Sequence, residues 1–238
     1  MIDVDNVFNE NTINIFTDAS IIKQENGQTI ASAGYHSYIN KNMVDYDIRH
    51  LQPATNNVGE LTAVKMGVLS AIRLKQIYPN INAINLFSDS KLAVYSIREW
   101  IFNWVKKERN GIMYNSSNSP VENQSFILAI IYTILNSNIE INFFHVRSHI
   151  DYKYESNINK FKKSFMQENN LSEQITDSLC IALVRNNANV DNMVYSSLRD
   201  RENYKIEKIH LPLPYHMVYY PFDINKYKKL IKKKGCFI

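Results

Sequence analysis

Alternation of apolar and polar positions predicts strands at the start of the chain. INIFTDAS, residues 13–20, alternates with a period of two. IASAGYHSYIN (30–40) and MVDYDIRH (43–50) repeat the pattern on either side of an Asn-Lys pair suited to a tight hairpin. From residue 58 the period changes: Leu61, Val64, Val68, Leu69, Ile72 and Ile77 recur at helical spacing, so a long helix is expected over 58–77. INAINLFSDS (81–90) reads as a fourth strand running into a polar turn. Helical patterns follow over 90–107 and 121–135, with the polar loop RNGIMYNSSNSP between them, and 139–146 is a fifth strand. A helix between strands implies a crossover. The expected fold class is therefore α/β, with a five-stranded mixed sheet flanked by helices, its first three strands antiparallel and the others parallel.

Beyond residue 150 the pattern changes again. Residues 151–170 are polar and Lys-rich, 171–184 have helical periodicity, and 187–198 suggest another helix. The last forty residues carry LPLPYHMVYYPF and the basic NKYKKLIKKKG. No repeat or linker divides the chain, so one domain is expected over 13–200, with an N-terminal segment (1–12) and a basic C-terminal extension (201–238).

Composition narrows the classes. With 238 residues, 45% of them hydrophobic, the chain can bury a substantial core. A net charge of +4 permits a nucleic-acid partner without requiring one. Cys180 and Cys236 lack the spacing of a metal site. The opening MIDVDNVFNENT is polar and acidic, and no apolar run nears the roughly 20 residues of a membrane span. A soluble, cytoplasmic protein with no membrane partner is expected.

Three carboxylates stand out by position. Asp18 lies within an apolar strand, Glu60 at the start of the long helix, and Asp89 at the end of the fourth strand. Singly, the more ordinary reading of each is a surface residue or a cap, and Glu60 in a first turn favours the helix dipole. Together they converge if the first and fourth strands are neighbours and the helix crosses them. Such a set of hard oxygens suits Mg²⁺ or Mn²⁺. Without a cation the three repel and raise one another's pKa. HVRSHID (145–151) adds two histidines, an arginine and a carboxylate at a strand end.

Five motifs in order carry a resemblance: IFTDAS (15–20), TNNVGELTAV (55–64), LFSDSKLAV (86–94), WIFNWVKK (100–107) and HVRSHI (145–150). The chain resembles type 1 ribonuclease H over residues 13–198. The resemblance implies an RNase H-like fold, with Asp18, Glu60 and Asp89 as catalytic metal ligands. It implies that His149 assists proton movement or product release. Asn56 and Asn57 would touch the groove of a hybrid, and Thr55 a phosphate. Ser20 and Ser90 would bond the backbone of a bound strand, and Asn103 would line a pocket for a DNA phosphate. Asn57 also suits the cap of the long helix. His145 reads as a packed strand histidine, and Trp100 and Trp104 as core residues on one helix face. The sequence departs from the family at Ala19, where many members have glycine. It departs also at Lys91, where some have glutamine and a cation would seek phosphate. The basic segment VKKERNG is modest, and the Lys-rich stretch 226–234 is a second source of charge.

The family's last aspartate opens its final helix, with asparagine four residues before it. Asp191 has Asn187 at that position, Val190 just before it, and Met193 and Val194 after it. Asp177 has apolar residues after it but Glu173 where asparagine is expected, and Asp151 shares the loop of His149. Asp191 is preferred as the fourth catalytic and metal-binding carboxylate, with Asp177 and Asp151 left open. This choice implies a helical insertion at about 151–186. The implied activity is endonucleolytic, two-metal hydrolysis of the RNA strand of RNA–DNA hybrids, leaving a 3′-hydroxyl and a 5′-phosphate. The implied cofactor is Mg²⁺, with Mn²⁺ able to substitute, and no small-molecule cofactor. The rivals are a structure-specific DNA nuclease of the same fold, such as a junction resolvase, and a non-catalytic nucleic-acid-binding module.

Overall fold

Strands β1 (Thr12–Lys23), β2 (Thr29–Ile39) and β3 (Asn42–Gln52) pair antiparallel, as the alternation predicts. β4 (Ala83–Ser88) lies parallel to β1, and β5 (Asn142–His145) lies parallel to β4. These relations come from a computed structural model that describes residues 1–200, 206–208 and 221–231. The sheet has six strands rather than five, in the order β5-β4-β1-β2-β3-β6. The extra strand, β6 (Ile206–Lys208), pairs parallel with β3. Its three residues, Ile-Glu-Lys, are too few and too polar to register as a strand in sequence.

Both faces of the central strands are covered. On one face α2 (Asn56–Ile77) and α5 (Gln124–Ser137) pack Leu61, Val64, Val68 and Ile130 against Ile13, Ile15 and Leu86. On the other, α6 (Glu155–Asn169) and α7 (Asp177–Ser197) pack Phe161, Phe165, Leu183 and Val190 against Phe16, Phe87 and Phe144. The three strand phenylalanines stack side by side, with ring centroids 4.7 and 5.3 Å apart. Burial on both faces explains why β4 reads as a continuous apolar run.

A polar rung crosses this second face. Asn14, Asn85 and Asn142 are paired neighbours on β1, β4 and β5. The Asn142 amide donates to Asn85 Oδ1 at 3.0 Å, and Asn85 donates to Asn14 Oδ1 at 3.0 Å. Asn14 donates to the carbonyl of Val7, the last residue of the short helix α1 (Val4–Val7), at 2.8 Å. All three asparagines are buried.

Several elements differ from the sequence expectation. Residues 90–107 are not one helix. They run through α3 (Lys91–Tyr95), a π-turn (Ser96–Trp100), α4 (Ile101–Trp104) and a 3₁₀ turn (Val105–Lys107). In the π-turn the Ile97 carbonyl accepts the hydroxyl of fully buried Tyr227 at 2.9 Å. Tyr227 belongs to α8 (Ile224–Leu230), which docks part of the basic extension on the core. Residues 171–184 and 187–198 are not two helices, because α7 runs unbroken from Asp177 to Ser197. The polar Arg185 and Asn186 between them lie on its more exposed side and do not interrupt it. The polar stretch 151–170 contains α6, whose apolar Ile158, Phe161 and Phe165 recur at helical spacing and are buried. Thr55, not Asn57, caps α2: its hydroxyl accepts the Val58 amide at 3.3 Å.

The N-terminal segment is tied to the start of α7. Ile2 bridges to Ile175, the Thr176 amide donates to the Ile2 carbonyl at 3.0 Å, and the Thr176 and Ser178 hydroxyls donate to Asp3. Lys232–Lys234 and Cys236, with residues 201–205 and 209–220, lie outside the described residues. Among the described residues no helix is long and apolar enough to cross a membrane.

The asparagine rung gives a direct test. Asn85→Ala leaves Asn14 Oδ1 and the Asn142 amide without their partner in a buried setting. A stability loss of about 2–4 kcal/mol in urea unfolding is expected. A loss well below about 1 kcal/mol would show that the rung contributes nothing beyond packing.

Candidate active site

The parallel pairing of β1 and β4 places Thr17, midway along β1, opposite Ser88, the last residue of β4. The next residue on each strand is a carboxylate, so Asp18 and Asp89 emerge side by side. Glu60 arrives from the first turns of α2. Its neighbour Gly59 permits the approach, since a Cβ there would lie 3.0 Å from that of Ala19. Asp18, Glu60 and Asp89 each present an oxygen within 4.8 Å of the others. Asp18 is 4% exposed and Glu60 5%.

This geometry is electrostatically costly without a cation. Burial, then the charges of Asp89 and Asp191, push the Asp18 carboxyl up to about 8. Burial, then Asp18 and Asp89, raise Glu60 well above the ordinary range. Burial also raises Asp89, against a hydrogen bond from Ser148 and the charge of His145. The Ala19 amide donates to Asp18 Oδ1 at 2.7 Å and also bonds Glu60, so one backbone group serves two carboxylates. Glu60 Oε2 is buried with no hydrogen-bond partner among the described residues. An unpaired buried carboxylate oxygen beside two further carboxylates fits a hard divalent cation.

Of the three aspartates considered for the fourth position, the structure brings Asp191 to this cluster. Its charge acts on Asp18, Glu60 and Asp89, although it stands outside the 4.8 Å triad. His149 Nδ1 lies 3.8 Å from Asp191 Oδ2. The His149 backbone is left-handed, with φ +55°, and its side chain is 78% exposed. Asp177 lies in the first turn of the same helix, fourteen residues earlier and so roughly 21 Å away along the axis. It pairs instead with Lys162 of α6. Asp151 accepts the amide of Lys153 in its own turn. Asp191 does not open its helix but sits deep in α7, because the helix begins earlier than the sequence suggests. Gly34, the strand partner of Asp18, admits α7: a Cβ there would come within 2.8 Å of both Met193 and Val194.

His145 does more than fill the strand. It is buried, its Nε2 faces the Asp89 carbonyl at 3.0 Å, and its Nδ1 contacts Glu168 near the end of α6. Burial pulls the His145 pKa down, and Glu168 opposes that. Asn169, the next residue, bonds both the amide and the carbonyl of His145 at 2.9 and 2.8 Å. The contributions of Glu168, Asn169 and Ser148 carry no sequence signal, since each depends on contacts between distant segments.

The remaining expected positions are spread around this centre. Ser20 is half-buried two residues beyond Asp18. Thr55, exposed Asn56 and half-buried Asn57 form the N-terminus of α2. The Ser90 hydroxyl caps α3, accepting the Ala93 amide at 3.2 Å, and Lys91 pairs with Glu168. Asn103 stands apart, in a groove of about 760 Å³ that Trp100, Trp104, Lys106 and Lys107 also line. Trp100 is 39% exposed, so it is not simply core. It stacks on Tyr95 at 5.8 Å, and the Tyr95 ring lies 6.3 Å from that of His145. An aromatic row therefore joins the groove to the acidic centre.

Comparison with known proteins adds the following. The RNase H family model matches residues 10–164. A ribonuclease H of Tropheryma whipplei (strain Twist) is 30% identical over 132 residues, covering 52% of this chain and 72% of that protein. Among solved structures, the PFV RNase H domain is 17% identical with a TM-score of 0.48, covering 75% of this chain and 94% of that one. The foamy viral protease-reverse transcriptase in complex with RNA/DNA hybrid is 19% identical with a TM-score of 0.48. That match covers 67% of this chain and 20% of the other.

The raised Asp18 carboxyl has a consequence for stability. An acid whose pKa is higher in the fold contributes stability that is full below its unfolded value and is lost as pH rises through the folded one. For Asp18 that window runs from 3.8 to about 8. In EDTA the thermal midpoint is therefore expected to fall as pH rises across it, and Asp18→Asn to flatten the fall. A wild-type slope retained in Asp18→Asn would show that this carboxyl is not the source.

Proposed function

The chain belongs to the RNase H family, and on that premise we propose that it is an endonuclease that hydrolyses the RNA strand of RNA–DNA hybrids. The products are a 3′-hydroxyl and a 5′-phosphate. One observation carries the reading: three carboxylates converge where β4 ends beside β1, with oxygens within 4.8 Å, and one buried oxygen of Glu60 lacks a partner among the described residues. Asp18, Glu60, Asp89 and Asp191 would hold Mg²⁺, or Mn²⁺ in its place, and four carboxylates offer enough oxygens for two ions. When bound, such ions supply the positive charge that phosphodiester displacement requires at its attacking and leaving oxygens.

The chain's own groups do the rest. Strand β1 fixes Asp18, the end of β4 fixes Asp89, and α2 fixes Glu60, so the ligand oxygens need no rearrangement as charge develops. His149, exposed at the rim beside Asp191, accepts or returns a proton there and is free to swing with product. Asn56 and Asn57, at the start of α2, meet the shallow groove in which 2′-hydroxyls are displayed, and Thr55 meets a phosphate at that helix N-terminus. Ser20 and Ser90 contact the backbone of the cut strand. Asn103 and the groove beside Trp100 receive a phosphate of the DNA strand.

The test is a cleavage assay on labelled RNA–DNA hybrid, duplex DNA, duplex RNA and four-way junctions, each with Mg²⁺ and with EDTA. Cutting of the RNA strand of the hybrid, with Mg²⁺ alone, is expected. Junction cutting without hybrid cutting would favour a structure-specific DNA nuclease, and binding without cutting a non-catalytic module. Asp191→Asn is expected to lower hybrid cleavage about 100-fold or more, whereas Asp177→Asn and Asp151→Asn stay within about threefold of wild type. An inactive Asp177→Asn variant would reverse the assignment.

A further inference from the structure

Helix α6 reaches the active site through its last two residues. The Glu168 carbonyl accepts Arg98 Nη2 at 2.9 Å and the Tyr95 hydroxyl at 3.2 Å, and Asn169 bonds Arg98 and the His145 backbone. The helix end is thereby fixed, and the Glu168 side chain is only 14% exposed. One of its oxygens contacts His145. The other gathers two cations: Arg147 at 2.9 Å and Lys91 at 3.2 Å.

The arrangement leaves positive charge over. Two cations share one carboxylate oxygen, and their side chains remain 51% and 58% exposed. A guanidinium has five donors and an ammonium three, so each keeps donors open to solvent. Exposed ion pairs of this kind are weak and exchange readily. Position gives the charge a purpose. Lys91 follows Asp89 by two residues, and Arg147 precedes His149 by two, so both flank the reacting centre.

We propose that Lys91 and Arg147, gathered on Glu168, seat a backbone phosphate of the bound nucleic acid beside the one at the acidic cluster. The inference rests on the hybrid-cleavage reading above and assigns part of its substrate binding to α6. Glu168 is the positioning residue: it holds two flexible cations in one place before substrate arrives and yields them to a phosphate with three acceptor oxygens. A phosphate contact positions the duplex without reading sequence.

The experiment is equilibrium binding of the full chain to labelled hybrid across a salt series, with Ca²⁺ replacing Mg²⁺ to prevent cutting. Lys91→Ala and Arg147→Ala are each expected to flatten the slope of log Kd against log salt by about 0.7–0.9. They should weaken unrelated hybrid sequences equally, and Arg147→Lys should keep most of the slope. With Mg²⁺, KM should rise by a larger factor than kcat falls. Glu168→Gln keeps the side chain's shape and removes its charge, so it should tighten hybrid binding, whereas loss of a mere structural prop would weaken it. Wild-type slopes in both alanine variants overturn the seat, and if the wild type still binds and cuts hybrid, the functional reading stands. Weaker binding by Glu168→Gln overturns the role given to Glu168. A wild type that fails to bind hybrid overturns both.

Discussion

Three carboxylates with oxygens inside 4.8 Å of one another, two of them almost fully buried, repel strongly enough that the framework has to impose their meeting. The imposition is visible at each element. Parallel pairing of β1 with β4 fixes Asp18 against Asp89. Gly59 and Gly67 bring α2 down onto the sheet, where a Cβ at Gly67 would lie 2.9 Å from Thr17, the residue before Asp18. Gly34 does the same for α7 on the opposite face. Packing energy is thus spent to hold like charge together, an arrangement that strain makes ready for a cation rather than stable without one.

The triad was legible in the sequence because each member interrupts or borders an apolar pattern: Asp18 within a strand, Asp89 at a strand end, Glu60 at a helix start. The family pattern, through Asn187 and the apolar residues around it, pointed to Asp191, which the fold brings near the triad. What the sequence hid was the length of its helix, since Arg185 and Asn186 look like a break when read linearly but are only the wetter side of α7. Helix α6 was obscured in the same way, its three buried apolar residues outnumbered by polar neighbours. Glu168 left no trace at all. Its partners Lys91 and Arg147 lie far from it in the chain, and pairing over such distances is decided by the fold. β6 was too short to see. The expectation that Asn103 lines a pocket, by contrast, came from the family resemblance of WIFNWVKK alone, and the structure places Asn103 in a groove.

Strand register is what carries the triad, and the buried asparagine rung specifies it. Asn14, Asn85 and Asn142 hydrogen-bond one another only when β1, β4 and β5 are aligned as observed. A one-residue slip would turn these amides to the opposite, apolar face and move Asp18 out of line with Asp89. An all-apolar rung would pack as well and discriminate less, which is the use of buried polar groups best attested in other folds. The first strand's rung also reaches α1, so the segment before the sheet is part of the same alignment.

Helix α7 ties the start of the chain to the site. Its twenty-one residues span roughly 31 Å as one rod. Its N-terminal end is strapped to Ile2 and Asp3, and Asp191 sits within its second half. At Gly34, Met193 and Val194 approach the sheet too closely for any side chain to intervene. Ile2 and Asp3 thus hold the same helix that brings Asp191 to the acidic centre, so the leading residues and the site share one packed element.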